Sequence, residues 1–187
     1  MLADANLLAI RKLMSKALST ADTTTTPGPP LSSSHPSPSF LAKLHLNVFI
    51  LYDEARTLCR SASSATSSVA AGEIDPAFRR YLSDGRLLSL ALSHKWLGVD
   101  AGENGGGERA GHALGWLDLA RTELEEIEGK TEGLGKLKFR AKGGSKTRKD
   151  KVGEELNSVA AFHSAYQKVN DTVRRGHYPR ARIQAKF

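Results

Sequence analysis

The chain has 187 residues, 27 of them Lys or Arg against 20 Asp or Glu, with 40% hydrophobic residues and a single cysteine, which amounts to one ordinary domain at most. Cys59 alone excludes an internal disulfide or a cysteine-based metal cage, and the longest notable apolar run, Val48 to Leu51, is far too short to cross a bilayer. The net charge of +7 sits in one segment, because Lys130 to Lys151 holds nine basic residues with Glu132 and Asp150 as its only acids. The rest is balanced, 18 basic against 18 acidic, so a polyanion-binding role belongs to that segment or to the tail.

From Ala3 to Leu18, Leu7, Ile10, Leu13, Met14, Ala17 and Leu18 recur at three- and four-residue steps, the signature of an amphipathic helix. No secretory signal is read there. Arg11, Lys12 and Lys16 leave a mitochondrial presequence open, although Asp4 and the apolar stripe read better as core. The Thr, Ser, Pro and Gly residues that follow predict a disordered linker, since they bury too little apolar surface to offset the entropy of ordering. Leu41, Leu44, Val48, Leu51, Ala55 and Leu58 then keep helical spacing, and Phe49 and Ile50 add a second apolar face, as in a helix sandwiched between neighbours.

Asp75 followed by Pro76 predicts a helix start, with Asp84 and Gly85 as a place where that helix bends or breaks. Its stripe continues through Leu87, Leu88, Ala91, Leu92, Lys95 and Trp96 to a glycine-rich turn at Gly102 to Gly107. Ala110, Ala113, Leu117, Ala120, Leu124 and Ile127 carry the next helix back, and Val152, Leu156, Val159, His163, Tyr166 and Val173 mark the last one. The fold class is all-α: antiparallel helical hairpins in a helical-repeat-like array, with disordered linkers. The expected organisation is an N-terminal helix over 1–19, a linker over 20–39, a helical domain over 40–173 and a basic tail over 174–187. The domain is interrupted by low-complexity 61–72 and by the basic loop 130–150.

Catalytic chemistry finds little support. Gly105, Gly107 and Ala110 satisfy a dinucleotide-type pattern, but they follow a helix where that fingerprint needs a strand. The histidines at 35, 45, 94, 112, 163 and 177 lack metal-ligand spacing, and His163 on its apolar stripe reads as a core histidine. Glu123, Glu125, Glu126 and Glu128 read as a solvated helix face, and Cys59 as a small buried hydrophobe whose only basic neighbour is Arg60. No enzyme, cofactor or metal is expected. Trp96 and Trp116, on the two arms of the glycine-rich hairpin, read as its core or as a partner anchor.

The stretch "RRYLSDGRLLSLALSHKWLGVDAGENG", Arg79 to Gly105, followed by "GHALGWLDLARTELEEI", Gly111 to Ile127, resembles the Bro-domain region of the fungal palC family of pH-response regulators. "LNVFILYDEARTL" and "YQKVNDTV" fit the same order, and together these motifs cover about 110 residues. The resemblance implies a Bro-type helical domain acting as an adaptor in fungal ambient-pH signalling. Such an adaptor binds an ESCRT-III filament subunit and helps an alkaline signal lead to proteolytic activation of a zinc-finger transcription factor. It also implies a cytoplasmic protein recruited to plasma-membrane or endosomal surfaces. Bro domains are considerably longer than this chain, and the basic "RRGHYPRARIQAKF" departs from the family's usual continuation, so the expectation is a C-terminal portion or truncated product.

Two surfaces follow. In the resembling family, the helix leading into Asn170, Asp171 and Thr172 lies near the ESCRT-III-binding surface. Phe162 and Val169 there stand about 80 to 100° from Val152 and flank Ala165, whose small side chain would let a partner helix approach, although packing on a neighbouring helix is the slightly favoured reading of Phe162 and Val169, since a Phe on a helix flank is usually core. The expected partner-binding residues are therefore Phe162, Ala165 and Val169. Lys146, Arg148, Lys149 and Lys151 form the candidate contact with an anionic membrane surface, the alternative reading of the chain; nucleic acid is a less favoured target.

Overall fold

Helices form where apolar residues recur every three or four positions, and the described residues of the computed structural model, 2–18, 29–65, 74–105, 109–132 and 148–176, contain five of them. They are α1 (Leu2–Leu18), α2 (Pro38–Ala65), α3 (Pro76–Asn104), α4 (Ala110–Glu132) and α5 (Arg148–Gly176). Among the described residues there is no strand, and the protein is all-α.

The Asp75 side chain caps α3 by accepting the Ala77 N–H at 2.8 Å, and Pro76 supplies the fixed φ of the first turn. The expected break at Asp84 and Gly85 does not occur, since α3 runs straight through. Gly85 serves a close approach instead, because a Cβ there would come within 2.7 Å of the Tyr52 ring on α2. Gly102 likewise stays helical, with the Tyr166 ring of α5 lying where its Cβ would be.

Cross-helix pairs define the topology. Asp53 meets Arg86 and Tyr52 meets Tyr81 between α2 and α3, while His94 meets Glu123 between α3 and α4. Phe49 of α2 lies under the Arg86 guanidinium, while Cys59 and Arg60 further along α2 share a pocket with the earlier Arg79 and Arg80, so α2 and α3 are antiparallel; Gly98 against Leu117 beside His94 against Glu123 gives α4 the same sense relative to α3. Between α3 and α5, Lys95 meets Glu155 and Glu103 meets Tyr166, which makes those two parallel. Helix α3 thus touches α5 as well as its neighbours in sequence. The hairpins are as expected, but the last three helices close on one another, a packing that does not by itself amount to a repeat array. Leu41 and Val48 of α2, Val99 of α3, Leu117 and Leu124 of α4, and Val159 and Phe162 of α5 are fully buried in this core.

The linker expected over 20–39 needs a partial correction. Residues 20–28 lie outside the described residues, but Leu31 packs against the core and the His35 ring sits 5.2 Å from Trp96. The His35 N–H also closes a turn on the Ser32 carbonyl at 2.9 Å. One leucine and one ring with places in the core order this stretch despite its composition. Of low-complexity 61–72, residues 61–65 continue α2 and the rest lie outside the described residues. Of the basic loop 130–150, residues 130–132 end α4, 148–150 open α5 and 133–147 lie outside, as do 177–187 of the tail.

Candidate functional site

The expected partner surface on α5 divides once the helices are packed. Phe162 is 0% exposed and its ring lies 5.9 Å from that of Tyr166, so the core occupies it and it is not an accessible anchor. The physical reason is the width of the buried arc: with α3 and α4 both against α5, the core face extends from Val152 and Val159 round to Phe162 and Ser158. Ala165 is partly buried against the core, and Val169 is 48% exposed. Of the basic residues, Lys146 lies outside the described residues, Arg148 and Lys149 fall in the first turn of α5, and Lys151 is exposed.

Other sequence candidates move as well. His163 is no core histidine; its Nε2 lies 3.3 Å from the Asp118 carboxylate of α4 at the surface. Glu123 bonds His94 of α3 at 2.8 Å, so the acidic face is used in part for a cross-link, while Glu125 meets Arg121 within α4 itself. Trp96 is buried, whereas Trp116 is exposed and stacks on the His94 ring at 5.4 Å. The two tryptophans therefore split the readings, one in the core and one at the surface. Cys59 is only partly buried and has more basic neighbours than Arg60, because packing brings α3 arginines to it.

The most unusual chemistry lies between α2, α3 and α5. Lys95 is 1% exposed, its Nζ donates to Glu155 Oε2 at 2.6 Å, and the same ammonium stands 4.9 Å from the Trp96 ring centroid. His45 of α2 is buried beside this pair, and its Nδ1 has no hydrogen-bond partner. Burial pushes the His45 imidazole down to about 4, with Lys95 acting in the same sense and Glu155 opposing. His35 is held below its usual range by burial, against a 2.7 Å contact with the Pro36 carbonyl. Two imidazoles whose charged form is disfavoured thus lie near one paired ammonium. Among the described residues, no group of three or more His, Cys, Asp or Glu is placed to hold a metal, and no helix is long and apolar enough to cross a membrane.

A second feature is a hollow of about 410 Å³ between α1, α2 and α3, walled by Leu2, Leu51, Ala55, Phe78 and Leu82. At its floor the Tyr81 and Tyr52 hydroxyls both donate to Asp4, holding that carboxyl below its usual range, while burial first and these bonds second push both phenols up. Leu2, Phe78 and Tyr81 remain exposed around it.

Comparison with known proteins finds a likeness. The pH-response regulator protein palC of Cryptococcus neoformans is 42% identical over 202 aligned residues, a match that takes in 92% of this chain and 41% of palC. The chain is a relative of palC. Too little of the chain remains outside the match to contain even α1, the shortest helix at 17 residues, so palC-like sequence reaches all five helices. The chain spans about two fifths of the length of palC. No family model matches it, and no solved structure does.

Proposed function

We propose that the chain works as a non-enzymatic adaptor in fungal alkaline-pH signalling. In this reading it engages a helix of an ESCRT-III filament subunit and promotes proteolytic activation of a pH-responsive transcription factor, as part of a Bro-type domain. The observation that carries the reading is the 42% identity to palC across 92% of the chain. Long paired helices with exposed apolar positions support it, since a partner helix is recognised by laying its own apolar face into a groove between such helices. With Phe162 committed to the core, Val169 is the part of the expected anchor that stays accessible. The place of action in this reading is the cytoplasmic face of the plasma membrane or endosome.

The test is a chimera in which this chain replaces the matching stretch of palC in a fungal strain lacking the native protein. Restored processing of the transcription factor after an alkaline shift is the expected result. A chimera that accumulates, folds and leaves processing absent would contradict the proposal.

The alternative, a segment that binds anionic surfaces, is favoured by one observation, the nine basic residues between Lys130 and Lys151. Replacing Lys146, Arg148, Lys149 and Lys151 by Gln should then weaken binding to phosphatidylserine vesicles at low salt by about 1 kcal/mol for each charge near the surface. Unchanged binding would return these residues to an ordinary solvated role.

A further inference from the structure

The C-terminal half of α2 and the opening turns of α3 enclose a pocket of about 380 Å³ lined by Arg56, Arg60, Arg79 and Arg80, with Cys59 and Asp84 on its wall. Among the described residues that line it, four arginines stand against one carboxylate. Arg56 also lies 3.9 Å from Asp53, but that carboxylate makes its shorter bond, 2.7 Å, to Arg86. Arg79 and Arg80 stand early in α3, near the end whose N–H groups carry partial positive charge, where cations are disfavoured. Asp75 caps that end through the Ala77 N–H and does not line the pocket. Even with Arg79 and Asp84 both engaged, positive charge remains in surplus among the described lining residues, and gathering it on two facing helices works against the fold.

An anion reverses that cost. Guanidinium forks match phosphate oxygens two at a time, and a single phosphate, at about −2, does not balance the charge of four of them. The width of the pocket and the number of arginines suit several phosphates carried on one small ring. We propose that this pocket binds inositol polyphosphate, free or as the headgroup of a phosphoinositide in a membrane. This inference is independent of the adaptor reading, since it uses neither α5 nor the likeness to palC.

The experiment titrates inositol hexakisphosphate into the full chain at physiological salt, read by calorimetry and by thermal melting. The variants are Arg60→Gln/Arg79→Gln/Arg80→Gln, three exposed positions, and, for contrast, Lys146→Gln/Arg148→Gln/Lys149→Gln/Lys151→Gln in the basic loop. Binding should raise the melting temperature of the parent chain and of the loop variant. The pocket variant should bind about tenfold more weakly or worse, with an unliganded melting temperature equal to or above the parent's. Should the triple variant melt early, Arg60→Gln alone should still weaken binding. Recruitment to phosphatidylcholine vesicles carrying phosphatidylinositol bisphosphate, and not to phosphatidylserine vesicles of equal charge, assigns the lipid source. Hexakisphosphate binding without such recruitment assigns the free one. Undiminished binding by the pocket variants, loss confined to the loop variant, equal stabilisation by sulfate at matched ionic strength, or equally tight binding of a phosphoserine peptide would each overturn the proposal.

Discussion

Lys95 of α3 and Glu155 of α5 stand 2.6 Å apart, with the lysine side chain 1% exposed and the glutamate 28%. An ammonium taken out of water is tolerable only while its partner is present. Glu155→Leu should therefore destabilise the fold by about 3 kcal/mol in urea unfolding, whereas Lys95→Met together with Glu155→Leu should recover most of that loss. A double variant as unstable as the single one would show that the pair does not hold these helices together.

His45 carries a pH dependence whose direction follows from burial. Its imidazole ordinarily titrates near 6.5 and is held at about 4 in the fold, so the unfolded chain takes up the proton first. Stability contributed by neutral His45 is full above pH 6.5 and is lost as pH falls toward 4, by on the order of 3 kcal/mol in total. His45→Gln should flatten the melting curve over this window relative to the parent chain. Parallel losses in both proteins would place the pH dependence on groups other than His45.

The approach of α5 to α3 depends on Gly102 and Tyr166. A Cβ on Gly102 would lie 2.4 Å from the Tyr166 ring, and the Tyr166 hydroxyl donates to Glu103 at 2.7 Å. Tyr166→Phe should cost about 1 to 2 kcal/mol through the lost bond to a charged acceptor. Gly102→Ala should destabilise despite alanine's better helix propensity, because the ring must move. A more stable Gly102→Ala protein would mean that the helices do not approach so closely.

Phe162 and Val169 should part company in the same assay. Phe162→Asp buries a charge in the packed core and should abolish cooperative melting, whereas Val169→Asp at an exposed position should leave the melting temperature nearly unchanged. A folded Phe162→Asp protein would return that residue to the list of partner contacts.

The helices were legible because period and capping are local signals: α2 to α5 and the Asp75–Pro76 start all appear in the structure, although Leu58 and His163 of the expected stripes lie outside the core. What depends on three-dimensional neighbours was not. Spacing gave α5 one narrow stripe, and only two flanking helices widen it to take in Phe162. Glycine reads locally as a breaker, yet Gly85 and Gly102 remain helical because a tyrosine ring occupies the space beside each. Lys95 was visible as a charge on an apolar stripe, a signal for a buried pair, but its partner lies 60 residues away. The arginines around Cys59 could not be assembled from sequence either, since α2 and α3 bring them together from separate stretches.

The proposed docking of an ESCRT-III filament subunit helix is tested most directly by titrating the purified subunit into the full chain. Saturable binding is expected, weakened roughly thirtyfold by Val169→Asp, the effect of losing an anchor of about 2 kcal/mol, with the melting curve unchanged. A chain that melts cooperatively and shows no binding, or binding that Val169→Asp leaves intact, would contradict it.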